Sequence, residues 1–464
     1  MKKLYLSVFL FSFLFFSHRI DKVPQGLTID EGAFGYNAAL LSKTAKDENE
    51  RILPFFILSI NNKDWREPVP TYFMATFFKI FGVSITNLKL SSAVLASLSA
   101  MLIFYLTNTL LGTKAAFFSS FIFITSPVVY IHSHLGLDIL TPIPMLLLWL
   151  IFLKSNPILS AFFLGVALYS YKAMRVFVPI FAVISLIYLF YNQKKKRKTV
   201  PFICTLAPFF LIMPYLEYKY AGAILGNQKP SFSIYSFFRS YFSTFDPSFL
   251  FVDGDSIVHH TTGKHGVFLL ASLPAFMRGI SFALKKGGFA KALVLAFFAG
   301  PLLIGFTGSY YRAGRIASLS AFYAVISAYG FNCFYKNQKA ALFLLLALIA
   351  VNAGLFMNYY WYSYAEDTKN HFYDTKIEKT YSAMKDYLLK HDFVPYQTAE
   401  IVTGGDESAV RNFFRSIYFT QEINIYEGNP EALPKKSILL TRDSKLNLKR
   451  IDSQLSDYYL YIKE

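Results

Sequence analysis

The chain has 464 residues, of which 54% are apolar and only 16% charged, well below the roughly 25% charged residues of soluble domains. Its formal net charge is +17, and 50 Phe and 32 Tyr swell the apolar share. This composition excludes an ordinary soluble domain and describes a polytopic membrane protein. Because the basic residues are spread through short loops, with one cluster at Lys194 to Lys198, positive-inside topology explains them and nucleic-acid binding is excluded. Cys204 and Cys333 both fall in apolar segments and carry no redox or metal signal.

At the start of the chain, Lys2 and Lys3 precede an apolar run from Leu4 to Phe16. Basic residues before a short apolar run also describe a secretory signal peptide, but Ser17, His18 and Arg19 offer no small-x-small cleavage site. The run therefore reads as a retained anchor. Asp30 and Glu31 follow on the outer face, and a carboxylate pair beside the bilayer is costly enough to need a reason. Asp30 is in place to act as a base on a substrate at the lipid surface. An acidic residue opening a helix also caps backbone N–H groups, so both readings stand for Glu31.

Loop one, from about His18 to Asn87, is long for a helix connection. Ala33 to Leu41 and Pro70 to Phe81 are amphipathic or apolar but too short to span, which predicts two helices lying in the interfacial plane. Between them Lys63, Asp64, Trp65, Arg66, Glu67 and Pro68 form a charged knot, and Pro70 suits a first helical turn.

Apolar runs of spanning length predict eleven transmembrane helices near 4–18, 88–111, 115–131, 139–154, 157–170, 176–191, 200–216, 267–284, 289–306, 315–335 and 340–361. With the N-terminus inside, Lys114, Lys154, the Lys194 to Lys198 run, Lys285, Lys286, Lys336 and Lys339 all fall in cytoplasmic turns. The same assignment sends all 13 acidic residues before Tyr362 to the outer side. An odd number of spans puts the C-terminal part outside the cell, which implies a multi-pass protein of the plasma membrane.

Several motifs run in order along the outer face. Asp30 and Glu31 lead into Gly32-Ala33-Phe34-Gly35-Tyr36-Asn37-Ala38; Arg66-Glu67-Pro68 precedes Thr71-Tyr72-Phe73, then Phe81-Gly82. Asp138 follows the third span, Tyr169 to Arg175 the fifth; Asp246-Pro247-Ser248-Phe249-Leu250-Phe251 and Gly254-Asp255 lie in the long loop before the eighth, and Arg312 and Arg315 precede the tenth. This series resembles the GT-C membrane glycosyltransferases, and within them the bacterial relatives of protein O-mannosyltransferases and of the lipid A aminoarabinose transferase. The resemblance covers about three quarters of the chain. Ser309-Tyr310-Tyr311 departs from it, standing where relatives carry a proline or histidine-containing approach.

The resemblance implies an inverting transfer of a sugar from a polyprenyl-phosphate carrier to a hydroxyl or similar acceptor on lipid, polysaccharide or protein. An acceptor hydroxyl needs a base within hydrogen-bond reach, and Asp30, with Glu31 beside it, is the catalytic candidate. The leaving phosphate needs cations rather than a general acid; Arg312 and Arg315, then Lys172 and Arg175, are the candidates. Glu67, Asp138 and Asp255 would orient substrate or cations. No cofactor is required, and no metal is indicated, since His132 and His134 near Asp138 lack a defined third ligand. Trp65 offers an outer-face aromatic to stack on a donor sugar.

From Tyr362 to Glu464 the balance changes to 16 acidic against 14 basic residues, which predicts a separate outer domain. It reads as an α/β module: a helix from about Thr375 to Lys390, a strand at Ala399 to Thr403, the turn Gly404-Gly405-Asp406, a helix from Ser408 to Tyr418, and strands at Ile423 to Tyr426 and Ser437 to Leu440. Strand, glycine pair and helix could cradle a phosphate, but without the full glycine fingerprint a plain turn is the simpler reading.

Other classes share the bulk composition. A flippase or transporter for lipid-linked sugars predicts charges inside spans or paired broken helices, and a ligase would move a preassembled glycan. A membrane scaffold would not require Asp30 at all.

Overall fold

Each of the eleven apolar runs is helical over most of its length, as lipid demands of a chain whose backbone groups must be satisfied internally. In the computed structural model, the described residues are 2–192, 196–224, 226, 233–308, 310–372, 376–419, 423–451 and 457–464. Lys194, Lys195, Ser309 and Thr375 lie outside them.

The runs differ in reach. Among the described residues, five helices are long and apolar enough to cross a membrane: Ile85–Leu111, Met174–Tyr191, Lys198–Lys219, Gly288–Thr307 and Lys339–Tyr362. A sixth span is formed if Thr113–Thr125 and Pro127–Ser133, bent by 61° at Ser126, count as one. Pro142–Phe152 and Pro157–Leu168 are apolar but short, reaching about 18 Å or less at 1.5 Å per residue. The protein is thus a multi-pass, mostly helical membrane protein.

The chain divides into two compact units. The first comprises residues 1–23, 67–70 and 89–367. At its centre is Leu319–Asn337, in which every residue from Leu319 to Phe331 is buried. This helix faces protein on all sides over that stretch, which is why its polar Ser320 and Ser327 are tolerated. Leu273–Lys286 crosses it at close range: a Cβ on Gly279 would strike the Ile326 carbonyl, and one on Gly330 the Ala275 carbonyl. Nearby, buried Trp149 stacks on Phe181 and donates from Nε1 to Ser185 Oγ at 3.0 Å.

The second unit comprises residues 24–66, 71–88 and 368–464. Its five-stranded sheet has the order β4 (Asn424–Tyr426), β3 (Val394–Thr398), β5 (Ser437–Thr441), β7 (Tyr459–Lys463) and β6 (Lys449–Arg450), after the small hairpin of β1 (Ile57–Ser59) and β2 (Asp64–Arg66). The first three strands of that order are parallel, β5 and β6 pair antiparallel with β7, and β5 is buried at every position. Helices Lys376–Leu388 and Ser408–Tyr418 accompany the sheet.

Two sequence expectations are corrected in this unit. Ala399–Thr403 is a helical turn, and the strand lies just before it, at Val394–Thr398. Buried Arg411 explains the difference, donating to the carbonyls of Ile401 at 2.7 Å, Glu400 at 3.3 Å and Gly404 at the end of that turn. With the Gly404 carbonyl turned toward that guanidinium and the Gly405 carbonyl accepting from Asn61 Nδ2 at 2.9 Å, the glycine loop receives side-chain donors as a plain turn would. The second correction concerns loop one. Its first helix, Ile29–Thr44, is longer than the predicted Ala33 to Leu41 and buries ten of its sixteen residues in protein rather than presenting one amphipathic face. It packs against Ser408–Tyr418, and Gly32 and Gly35 let it come close: added Cβ atoms would sit 2.7 Å from the Val410 backbone and 2.8 Å from the Phe413 ring. The second helix, Pro68–Phe81, stacks Phe78 on Phe413 and leaves Ile80 and Phe81 exposed.

Candidate active site

In the second unit, Thr28 and Glu31 form a reciprocal capping box that starts Ile29–Thr44: the Glu31 N–H donates to Thr28 Oγ1 at 3.1 Å, and the Thr28 N–H to Glu31 Oε2 at 2.9 Å. Glu31 is fully buried, and this bond commits one of its oxygens to helix structure. Asp30, one residue earlier, points the other way and stays about half exposed. Its Oδ1 lies 2.7 Å from Nη2 of Arg66, whose side chain is 5% exposed. Arg66 is set by the β1–β2 hairpin, whose turn takes positive φ at Ile60, Asn61 and Asn62. Its guanidinium also lies 5.0 Å over the Phe34 ring and 3.6 Å from Asp64. Asp30 is therefore a fixed carboxylate with an open side.

Close by, Asn37 donates to Glu48 Oε1 at 2.9 Å and receives the Glu48 N–H at 3.0 Å. Burial pushes the Glu48 carboxyl above its ordinary value, opposed by bonds from Ser59 and Asn37 and by the charge of Arg66. Trp65, in the charged knot of loop one, is buried under Arg51, whose guanidinium lies 5.4 Å from its ring centre.

In the first unit the candidate cations fall into three groups. Arg175 forms an ion pair with fully buried Glu67 and donates to the Ile224 carbonyl at 3.3 Å. Lys172 and Arg315, with Tyr171, Ala173, Val176, Ile304 and Thr307, line one cavity of about 240 Å³. Arg315 is oriented there by Thr307, 2.7 Å from its Nη1. Arg312 is joined to Asp255, with Nη1 3.7 Å from Oδ1. Asp255 in turn accepts the N–H of Ala313 at 2.6 Å and of Ile257 at 2.9 Å, so it ties the loop to the start of Ala313–Ile316. Burial raises its proton affinity, against the pull of those N–H donors and Arg312. A shallow hollow of about 470 Å³ opens beside it, lined by Asp246, Asp253, Asp255 and Tyr311 among others.

Asp138 does not cap the following helix as a first residue would. The helix begins at Pro142, and Asp138 is half-buried in the preceding turn, its carbonyl accepting the Thr141 N–H at 3.0 Å. His132 and His134 are not partners either. His134 Nδ1 bonds the Val23 carbonyl at 2.8 Å, whereas His132 Nε2 lies 2.9 Å from Nδ1 of His260. Among the described residues no group of three or more His, Cys, Asp or Glu is placed to hold a metal ion.

Sequence reasoning passed over Lys89, which is 1% exposed near the start of Ile85–Leu111, and the His132–His260 pair. A lysine one turn into an apolar span was a signal for the first; the second joins residues 128 positions apart and left none.

Residues 66–218 match the family model for dolichyl-phosphate-mannose-protein mannosyltransferase. Over nearly the whole chain the fold is that of ArnT from Cupriavidus metallidurans in the apo state, with a TM-score of 0.59, 11% identity, and coverage of 99% of this chain and 97% of that one. The structure of the same enzyme bound to undecaprenyl phosphate gives 0.54 at 11% identity, covering 89% and 74%. No curated protein sequence matches the chain. The chain thus shares its fold with ArnT over nearly its whole length and, over residues 66–218, is similar to the mannosyltransferase family model.

Proposed function

We propose that the protein is an integral-membrane glycosyltransferase that moves a sugar from a polyprenyl-phosphate-linked donor to an acceptor on the outer side of the membrane, with inversion and with Asp30 as general base. The observation that carries this reading is the cavity lined by Lys172 and Arg315 with Tyr171 and Thr307, which suits a phosphate-bearing headgroup. The mannosyltransferase family match and the ArnT fold, known in complex with undecaprenyl phosphate, support it.

In the reaction, the acceptor oxygen attacks the anomeric carbon on the face opposite the phosphate. The new C–O bond forms as the bond to the phosphate oxygen breaks, the acceptor proton passes to the Asp30 carboxylate, and the electron pair leaves on the polyprenyl phosphate. Because a phosphate leaving group is a weak base, cations suffice, and Lys172, Arg315 and Arg312 supply them. Glu67 and Asp255 act through the arginines they hold, and Asp138 orients substrate. An eleven-span topology, a cytoplasmic N-terminus and an extracytoplasmic α/β domain over 362–464 belong to the same proposal.

The test uses the full chain in lipid with labelled polyprenyl-phosphate sugars. Lys172→Met and Arg315→Met should each lower kcat/KM about tenfold or more, given the strength of charge-assisted bonds to phosphate. Unchanged turnover in both variants would remove the cavity from the reaction. Donor movement across the membrane without product would favour a flippase, and transfer of whole preassembled oligosaccharides a ligase.

A further inference from the structure

The second unit contains a cationic recess that the proposed transfer does not use. Its walls are Tyr36, Ala39, Leu40, Lys43, Thr44, Lys46, Asp47, Glu50, Arg415, Ser416 and Phe419, enclosing about 220 Å³. The lysine at its edge and both of its carboxylates are matched locally. Lys46 pairs with Glu50 at 2.7 Å, and Asp47 is held by Arg51, whose Nε lies 2.8 Å from its Oδ2.

Lys43 and Arg415 are different. Arg415 is 7% exposed, yet among the described residues it meets no carboxylate. One nitrogen, Nη2, donates to the Tyr36 hydroxyl at 2.8 Å, and the guanidinium lies 5.7 Å from the same ring. That accounts for one of five N–H donors. The Lys43 ammonium is anchored at 2.8 Å to the carbonyl of Ser416, the residue next to Arg415. Two cations are thus brought to one recess, one of them buried, with neutral oxygens as their protein partners. A buried guanidinium is ordinarily paired, because leaving water without a counter-charge is expensive. Here the recess itself offers the room for one.

We infer that this recess is an oxyanion-binding site, distinct from the proposed donor cavity, in which Arg415 and Lys43 grip a phosphate monoester or carboxylate and the Tyr36 ring forms one wall. Its volume suits a single anionic group rather than a whole lipid or sugar chain. The planar fork of Arg415 provides directional donors, and Lys43 a point charge at the rim. An anionic substituent on the acceptor is the chemistry such a site would select, and a phospholipid headgroup carries the same group.

The experiment is calorimetric titration of inorganic phosphate into the full chain in nanodiscs of zwitterionic lipid. Native protein should bind at the recess, Lys43→Gln should bind there about tenfold more weakly, and Lys264→Gln, which belongs neither to the recess nor to the donor cavity, should bind as the native does. Arg415→Gln should abolish the binding component that Lys43→Gln weakens; if that variant does not fold, Lys43→Gln decides, since its side chain lies at the surface. Weakening by phosphatidic acid in the nanodisc would identify a headgroup as an occupant, and undiminished binding there a soluble anion; both uphold the site. Equal affinity in native and Lys43→Gln protein, loss of binding in Lys264→Gln, or no binding by native protein would overturn it. None of these outcomes depends on sugar transfer.

Discussion

Nη2 of Arg66 lies 2.7 Å from Oδ1 of Asp30, and the two ends of that bond differ sharply in surroundings: the arginine is 5% exposed and the aspartate 52%. The hairpin arginine fixes the carboxylate while leaving one side of it open. Because Asp30 is half in solvent, the pair contributes modestly to stability. A double-mutant cycle with Arg66→Met and Asp30→Asn, read from thermal or denaturant unfolding, should give a coupling energy of about 0.5–1 kcal/mol. A coupling near zero would mean that the pair does not hold in solution.

Gly32 immediately follows the carboxylate pair, and its missing side chain is what lets Ile29–Thr44 meet the Ser408–Tyr418 backbone. Gly32→Ala would place Cβ 2.7 Å from Val410 Cα, where no flexible side chain can yield. The variant should lose about 1–3 kcal/mol of stability, the usual cost of overpacking, despite the better helix propensity of alanine. Unfolding midpoints of native and variant protein in the same lipid measure it.

Burial raises the Glu48 carboxyl above its unfolded value, so the folded state holds that proton more tightly. Its contribution to stability is fully present below the unfolded pKa of about 4.3 and is lost as pH rises through the higher folded value. Glu48→Gln keeps an acceptor for Asn37 and removes the titration. The variant should therefore gain stability relative to native as pH rises from about 4 toward neutrality, seen in melting temperatures across that range. A difference that is flat with pH would contradict the assignment.

What the sequence made legible follows from which interactions are local. The apolar runs are read from composition alone, and the Ser408–Tyr418 helix is found at its observed limits because its amphipathic pattern is self-contained. The strand near Ala399 was misplaced because Arg411, about ten positions on, recruits the carbonyls of that segment. Loop one was read as two interfacial helices because nothing local shows that Gly32 and Gly35 face Val410 and Phe413. In the site, the order of Asp30, Arg66 and Glu67 is visible in the chain, but their pairing is not. Glu67 meets Arg175 across 108 positions, and Arg312 meets Asp255 through a loop whose path only the fold sets.

The central claim is that Asp30 takes the acceptor proton. It is tested most directly by comparing sugar transfer from a polyprenyl-phosphate donor by native protein, Asp30→Asn and Glu31→Gln at equal folded amount in lipid. Positioned acid–base groups contribute about 10²–10⁴ in rate, so Asp30→Asn should lose about a hundredfold or more in kcat. Glu31→Gln, which keeps an oxygen for the Thr28 N–H, should stay near native. Undiminished turnover in Asp30→Asn would contradict the account and leave the Asp30–Arg66 pair as a structural tie.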